Sequence, residues 1–286
     1  MEQLAACVAC GAPAANGSAR VVYRRRDDAL VRCPRCRSLY ANPQYTDEEL
    51  GPLYTREYYD AHKNLETDFR ERDFQNTRDL YYTVVHDLLR RHPELRPSPG
   101  RPRRVLDFGC GVGFFLVACR EAGLEPTGID WSDVASQYAR QRFDLEVLTD
   151  AENALRNLPA DHYHVITAWQ VIEHMRRPRE TLALLTRALA PGGLLCIAVP
   201  NLGALAHRWQ RDRWFNIQNL THLVFFTRDR LQRALEEAGL TQVERPVLLG
   251  GLTGLRRLLT PAQYLLRAAN LGNEFRLYAR KPGVLR

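Results

Sequence analysis

The chain has 286 residues, 45% of them hydrophobic and 26% charged, with a net charge of +7 at neutral pH. That length suits one sizeable domain with a small accessory one, in an ordinary soluble composition. No apolar run is long enough to span a bilayer and no secretory leader opens the chain, so a cytoplasmic protein with no membrane partner is expected. The positive charge is almost all arginine, Lys63 and Lys281 being the only lysines. The arginines are interleaved with acids and form no basic tail, which counts against a nucleic-acid partner.

The first element is "CVAC" (Cys7, Cys10), followed after 22 residues by "CPRC" (Cys33, Cys36). Two-residue gaps let paired thiolates converge on one cation, and two such knuckles complete a tetrahedron around Zn²⁺. Two disulfides are the alternative, and a poor one in a reducing compartment. A closed four-thiolate site has no open position, so the metal would be structural. "RVVYRRRD" between the knuckles alternates as a hairpin strand does. Thr46 with Glu49 is a capping-box signature for a short helix. Apolar residues at helical spacing predict a longer helix over Thr67 to Arg91, ended by the linker "HPELRPSPGRPRR".

"RRVLDFGCGVGFFLVACREAG" then reads as strand, glycine-rich turn and amphipathic helix, the opening unit of a doubly wound α/β domain. Its glycines are Gly109, Gly111 and Gly113, preceded by Asp107 at the strand end. A pyrophosphate at the helix start would be repelled by that carboxylate. S-adenosylmethionine has no phosphate but carries an ammonium and a sulfonium, so Asp107 favours it over NAD. "LEPTGIDWS" is a second strand ending in Asp130, 17 residues after Gly113. An acid there can accept hydrogen bonds from both ribose hydroxyls. A third strand, "LEVLTD", ends in Asp150, whose loop with Ala151 is placed to reach an adenine amino group. Singly each acid could be an N-cap or a solvated loop residue.

The segments "VLDFGCGVGFFL", "GIDWS", "VITAWQVIEHM" and "LAPGGLLCIAVPN" resemble the successive motifs of class I S-adenosylmethionine-dependent methyltransferases, closely over residues 101 to 201. The resemblance implies an α/β fold with a seven-stranded mixed sheet, order 3-2-1-4-5-7-6, its last strand antiparallel. "GNEFRLYARK" would be that strand and "LTQVERPVLL" the one before it. The front end resembles the zinc ribbon of bacterial members acting on small molecules in secondary metabolism or on sugars. The implied domains are a zinc ribbon over 1–46, a helical extension and linker over 47–100, and the methyltransferase domain over 101–286, with a lid insertion at about 201–227. The implied cofactor set is Asp107, Gly109, Gly111, Gly113, Asp130, Trp131, Asp150, Ala151 and Gln170. Tyr58 and Tyr59 resemble tyrosines that close over the cofactor. S-adenosylhomocysteine would be the product.

The fourth strand delivers "QVIEHM" to the carboxyl edge, where ligands of open α/β sheets sit. Sugar C-methyltransferases with a similar front end carry a Glu-His pair there, with the His as base. The resemblance maps those roles onto Glu173 and His174; a pocket-lining role for His174 stays open. A metal at this pair ranks last, because it has no sequence-adjacent third ligand. His222 is the second candidate base, or a histidine bonding backbone at a strand junction. Trp209, Trp214 and Phe215 could wall an acceptor pocket or pack in the core. The loop lacks the Asn/Asp-Pro-Pro-Tyr motif of base-amine methylases, reading "AWQV", and no Pro-Cys nucleophile is present. The expected function is methyl transfer to a small-molecule acceptor, on oxygen ahead of carbon or nitrogen, in natural-product or sugar biosynthesis. The alternative is an RNA methyltransferase whose ribbon binds the nucleic acid. A homodimer stays open.

Overall fold

Two sheets organise the chain. The computed structural model describes residues 1–14, 20–51, 71–247, 265–266 and 268–285, the side chains of 71–78 excepted. Tyr58, Tyr59 and the first turn expected for the long helix lie outside them. The ribbon supplies β1 (Arg20–Arg24), β2 (Ala29–Arg32) and β3 (Leu39–Ala41), paired antiparallel. The short helix α1 (Asp47–Leu50) starts on the expected capping box. The Glu49 amide donates to Thr46 Oγ1 at 3.3 Å, and the Thr46 amide donates to the Glu49 carboxylate at 2.8 Å. The long helix α2 is Glu71–Arg91.

The large sheet begins with β4 (Arg104–Phe108), α3 (Phe114–Glu121), β5 (Glu125–Ile129), α4 (Asp133–Phe143), β6 (Val147–Leu148) and α5 (Ala151–Asn157). It continues with β7 (Tyr163–Trp169), α6 (Pro178–Ala188) and β8 (Leu189–Pro200). An insertion follows: α7 (Leu205–Gln210), α8 (Phe215–Gln218) and β9 (Val224–Phe225). The chain closes with α9 (Arg228–Glu237), β10 (Thr241–Glu244) and β11 (Glu274–Arg280). The seven strands run in the order β10-β11-β8-β7-β4-β5-β6. Numbered from β4 and omitting β9, this is 3-2-1-4-5-7-6 read from the β6 edge. β11 is antiparallel to both neighbours, as the resemblance implied. Burial on both faces explains why β4 and β7 read as near-continuous apolar runs rather than alternating ones. Side-chain caps fix two helix starts: Ser132 Oγ accepts from the Ala135 amide, and Thr227 Oγ1 from the Arg230 amide, both at 3.2 Å.

The tertiary structure joins the ribbon to the insertion. β9 pairs antiparallel with β3 and completes a four-stranded sheet. A two-residue strand gains nothing alone; here it covers the ribbon's open edge. One core cluster runs through both parts, with Cys7, Val31 and Tyr40 beside Leu106, Ile172 and Val224. Within the "RRRDD" run, Arg25 and Asp28 form a fully buried ion pair, with Arg25 Nε donating to Asp28 Oδ1 at 2.5 Å. Arg25 Nη1 also donates to two insertion carbonyls, Asn219 at 2.8 Å and His222 at 3.0 Å. The ribbon thus holds the loop that carries His222.

Candidate active site

The glycine turn sits at the carboxyl edge between β4 and α3, and close packing dictates its residue types. Gly109 has φ +83°, and a Cβ there would lie 2.3 Å from Cγ2 of Val171. Gly113 has φ +85° and would meet Leu145 Cδ1 at 2.6 Å. Only glycine tolerates both the left-handed backbone and the approach. The Gly109–Val171 contact sets the turn directly against the segment carrying Glu173 and His174.

Three of the expected carboxylates have distinct environments. Asp107 is buried and accepts from Thr167 Oγ1 at 2.6 Å. Burial pushes its carboxyl up to about 7; the Thr167 hydroxyl opposes this and nearby Asp130 reinforces it. Asp130 braces the turn. Its Oδ2 accepts from the Gly111 amide at 2.7 Å and its Oδ1 from the Ser132 amide at 2.8 Å. Trp131 beside it is 38% exposed and packs edge-on against Phe108 at 5.0 Å. Asp150 is exposed, in a left-handed conformation before α5, and caps nothing with its side chain, while Ala151 is buried. Gln170 also has positive φ, +57°, and its amide nitrogen donates to Glu274 Oε2 at 3.1 Å.

After β7 the chain makes a single 3-10 turn, Ile172–His174. Glu173 is fully buried, and neither carboxyl oxygen has a hydrogen-bond partner among the described residues. Burial, with Glu274 adding, pushes this carboxyl up to about 8. His174 Nδ1 lies 2.9 Å from the Thr221 carbonyl and His222 Nδ1 lies 3.1 Å from the Asn216 carbonyl. A carbonyl only accepts, so both Nδ1 atoms carry protons and a neutral ring has its lone pair on Nε2. The two rings pack edge-to-face with centroids 4.7 Å apart. Burial holds His222 well below the usual histidine range, and His174 and Arg25 push the same way. Glu173, His174 and His222 each offer a ligand atom within 4.8 Å of the others. The third member arrives from 48 residues downstream of His174, which is why the sequence showed no partner. The set is close enough to share a proton or a cation.

The four early thiols form a second cluster. Cys7 and Cys36 sulfurs are 3.8 Å apart and Cys10 and Cys33 sulfurs 3.7 Å. A disulfide needs about 2.05 Å, whereas four sulfurs at ~2.3 Å from one Zn²⁺ lie roughly 3.8 Å apart along each tetrahedral edge. The Cys33 and Cys36 knuckle is already wound for such an ion. The Arg37 amide donates to the Cys33 carbonyl at 3.0 Å, and the Cys36 amide to Cys33 Sγ at 3.5 Å.

A family model described as a methyltransferase domain matches residues 63–245. The chain belongs to that family. Its sheet order is that of the class I S-adenosylmethionine-dependent methyltransferases. A ubiquinone biosynthesis O-methyltransferase from Aromatoleum aromaticum is 31% identical over 106 residues, covering 35% of this chain and 44% of that protein. The match thus spans less than half the length of that curated relative. An S-adenosylmethionine-dependent methyltransferase from Archaeoglobus fulgidus superposes with a TM-score of 0.52 at 24% identity, over 70% of this chain and 94% of the other. A phosphoethanolamine N-methyltransferase from Haemonchus contortus gives 0.51 at 16% identity, over 79% and 60%.

Within this methyltransferase the aromatic residues of the insertion divide. Trp214 is buried in a small core with Leu30 and Phe225, so it packs rather than walls a pocket. Trp209 is 86% exposed and Phe215 62% exposed. The sequence reading missed Arg25, which nothing in a run of three arginines distinguishes from Arg24 and Arg26. It also missed Thr167, a polar residue in the apolar fourth strand, whose hydroxyl is the partner of Asp107. Among the described residues, no helix is long and apolar enough to cross a membrane.

Proposed function

We propose that this methyltransferase moves a methyl group from S-adenosylmethionine to a small-molecule acceptor, with oxygen favoured over carbon or nitrogen as the nucleophile. The observation that carries the reading is the Gly109–Val171 contact, which packs the cofactor turn against the Glu173–His174 segment. The names of the relatives near 30% identity support an O-methylated small acceptor. They carry no argument for natural-product or sugar biosynthesis.

The residues present suit the cofactor. Gly109, Gly111 and Gly113 leave room where any Cβ would clash or strain the turn. Asp107 would face the cationic methionine end, Asp130 would take ribose hydroxyls, and Trp131, Asp150 and Ala151 would border the adenine. Gln170 would lie near the methionine end. Bound S-adenosylmethionine supplies an electrophilic methyl carbon on a sulfonium. Much of the acceleration would come from placing the acceptor oxygen in line with that carbon. His174 would take the acceptor's proton on Nε2, its ring held by the Thr221 carbonyl. A base in that role contributes about 10²–10⁴. His222, kept neutral by burial, would position His174, and Glu173 would complete the buried polar set.

The Cys7, Cys10, Cys33 and Cys36 thiols would hold a structural Zn²⁺. That ion supplies a cross-link between the two knuckles. Its effect would reach the site through β3–β9 pairing and Arg25. The ribbon, helical extension and methyltransferase parts would thus act as one unit around the acceptor.

The test is calorimetry with S-adenosylhomocysteine, followed by turnover of phenolic acceptors such as catechol by native protein and His174→Gln. Binding of the demethylated cofactor, with a kcat loss of about 10²–10⁴ in the variant and unchanged cofactor affinity, is expected. No binding of either cofactor form would sink the reading. Unchanged kcat would remove His174 as the base.

A further inference from the structure

The carboxyl edge holds a cavity whose lining includes none of the residues expected to bind the cofactor and neither histidine of the pair. It measures about 210 Å³ and is lined by Arg228, Arg245 and Arg276, with Glu274 and Phe275. Its place follows from the strand register. β11 starts at Glu274 opposite Pro200, the last residue of β8. Arg276 lies opposite Ala198, whose neighbour across β7 is Trp169. The Arg276 guanidinium sits 5.4 Å from the Trp169 ring centre, and Gln170 donates to Glu274. The cavity therefore shares a wall with the Trp169–Gln170 step that leads to His174.

Its charge is unbalanced. Among the described residues Glu274 is the single acid of the lining, and it is already paired with Arg276 at 2.7 Å. Arg228 donates to the Asn270 amide oxygen and lies 6.0 Å from the Phe275 ring centre. Arg245 donates to the Gln232 amide oxygen at 2.8 Å. Neither makes an ion pair among the described residues. Among the described residues, three guanidiniums against one carboxylate leave two positive charges. Arg276 Nη1 and Arg228 Nε are moreover buried without hydrogen-bond partners among the described residues. Planar guanidinium forks match the oxygens of a carboxylate or phosphate. At ~30 Å³ per water the cavity has room for roughly seven waters, enough for one such group and a few carbons.

We propose that this cavity is the subsite for an oxyanion group, carboxylate or phosphate, carried by the methyl acceptor. The inference rests on the methyltransferase reading and narrows its acceptors to anionic ones. Arg228 and Arg245 grip the oxyanion, while Arg276, fixed by Glu274 and Trp169, links it to the transfer site.

The test uses protein loaded with S-adenosylhomocysteine, titrated separately with benzoate and with inorganic phosphate. At least one should bind, and the one that binds distinguishes carboxylate from phosphate. Arg228→Met and Arg245→Met should each weaken that binding at least ~10-fold while cofactor affinity stays unchanged. In turnover, 3,4-dihydroxybenzoate should exceed catechol in kcat/KM for a carboxylate subsite, and the ratio should collapse in Arg228→Met. Cofactor binding with no binding of either anion overturns the subsite. So does anion binding that neither variant weakens. Failure of cofactor binding instead overturns the methyltransferase reading, and the anion titrations still report on the cavity.

Discussion

Replacing Arg25 with methionine should separate a buried brace from a surface charge. In the native protein Asp28 has no exposed side-chain surface and, among the described residues, its charge is matched by Arg25 alone within a bidentate pair. Breaking a buried pair by removing one partner costs about 3–5 kcal/mol, because the other charge is left uncompensated. The same change orphans the Asn219 and His222 carbonyls that Arg25 Nη1 holds at 2.8 and 3.0 Å. At ~2 °C per kcal/mol, the lower end for a chain of this size, the midpoint should fall by at least ~6 °C in a thermal melt. Arg25→Met/Asp28→Leu removes the stranded charge and should recover much of the loss. The carbonyls remain unpaired, so about 1–3 kcal/mol should not return. Because those carbonyls belong to the loop that carries His222, the acceptor KM should rise more than kcat falls. A single variant that melts within ~2 °C of the native protein would refute the reasoning.

Two further outcomes follow from the site. Asp107 is raised to about 7 by burial, so apo stability from this group is fully present below the ordinary carboxylate range and is lost as pH rises through 7. The ligand's ammonium group favours the ionised form, so S-adenosylhomocysteine should bind more tightly as pH rises from 5.5 towards 7, by up to ~10-fold per unit, then level off. Asp107→Asn should flatten that profile in calorimetry; a flat profile in the native protein would disprove the role. Elemental analysis should find one zinc per chain. Its removal by chelation should lower the melting point of native protein, whereas a Cys10→Ser variant that binds no zinc should show little further change with chelator.

Much of the fold was legible because it rests on local chemistry. The capping box at Thr46 and Glu49 is set by side chains within three residues of the backbone they cap. The Asp107–glycine pattern was readable for a similar reason. A turn that packs against Val171 admits no Cβ at Gly109, and that constraint is written directly in residue type. The paired cysteines announced a cluster because two-residue spacing alone brings each pair of sulfurs together.

The rest depended on contacts between distant segments. His174 and His222 meet because β9 is drawn onto β3, a pairing that a two-residue strand cannot signal. Arg25 becomes buried only because the ribbon folds over the insertion; in the sequence it stands in a charged run that looks solvated. Arg228, Arg245 and Arg276 face one cavity because β11 returns antiparallel beside β8, bringing its first residues to the edge where α9 begins. Glu173 could be placed at the strand end from the apolar run before it. Its complete burial without partners could not, because burial is a property of everything packed around a residue. The sequence by itself determined which residues form the glycine turn and the thiol cluster, since backbone sterics and short spacings act locally. Tertiary structure alone decided which polar groups share a pocket, because their charge and hydrogen bonding depend on neighbours supplied by segments far along the chain.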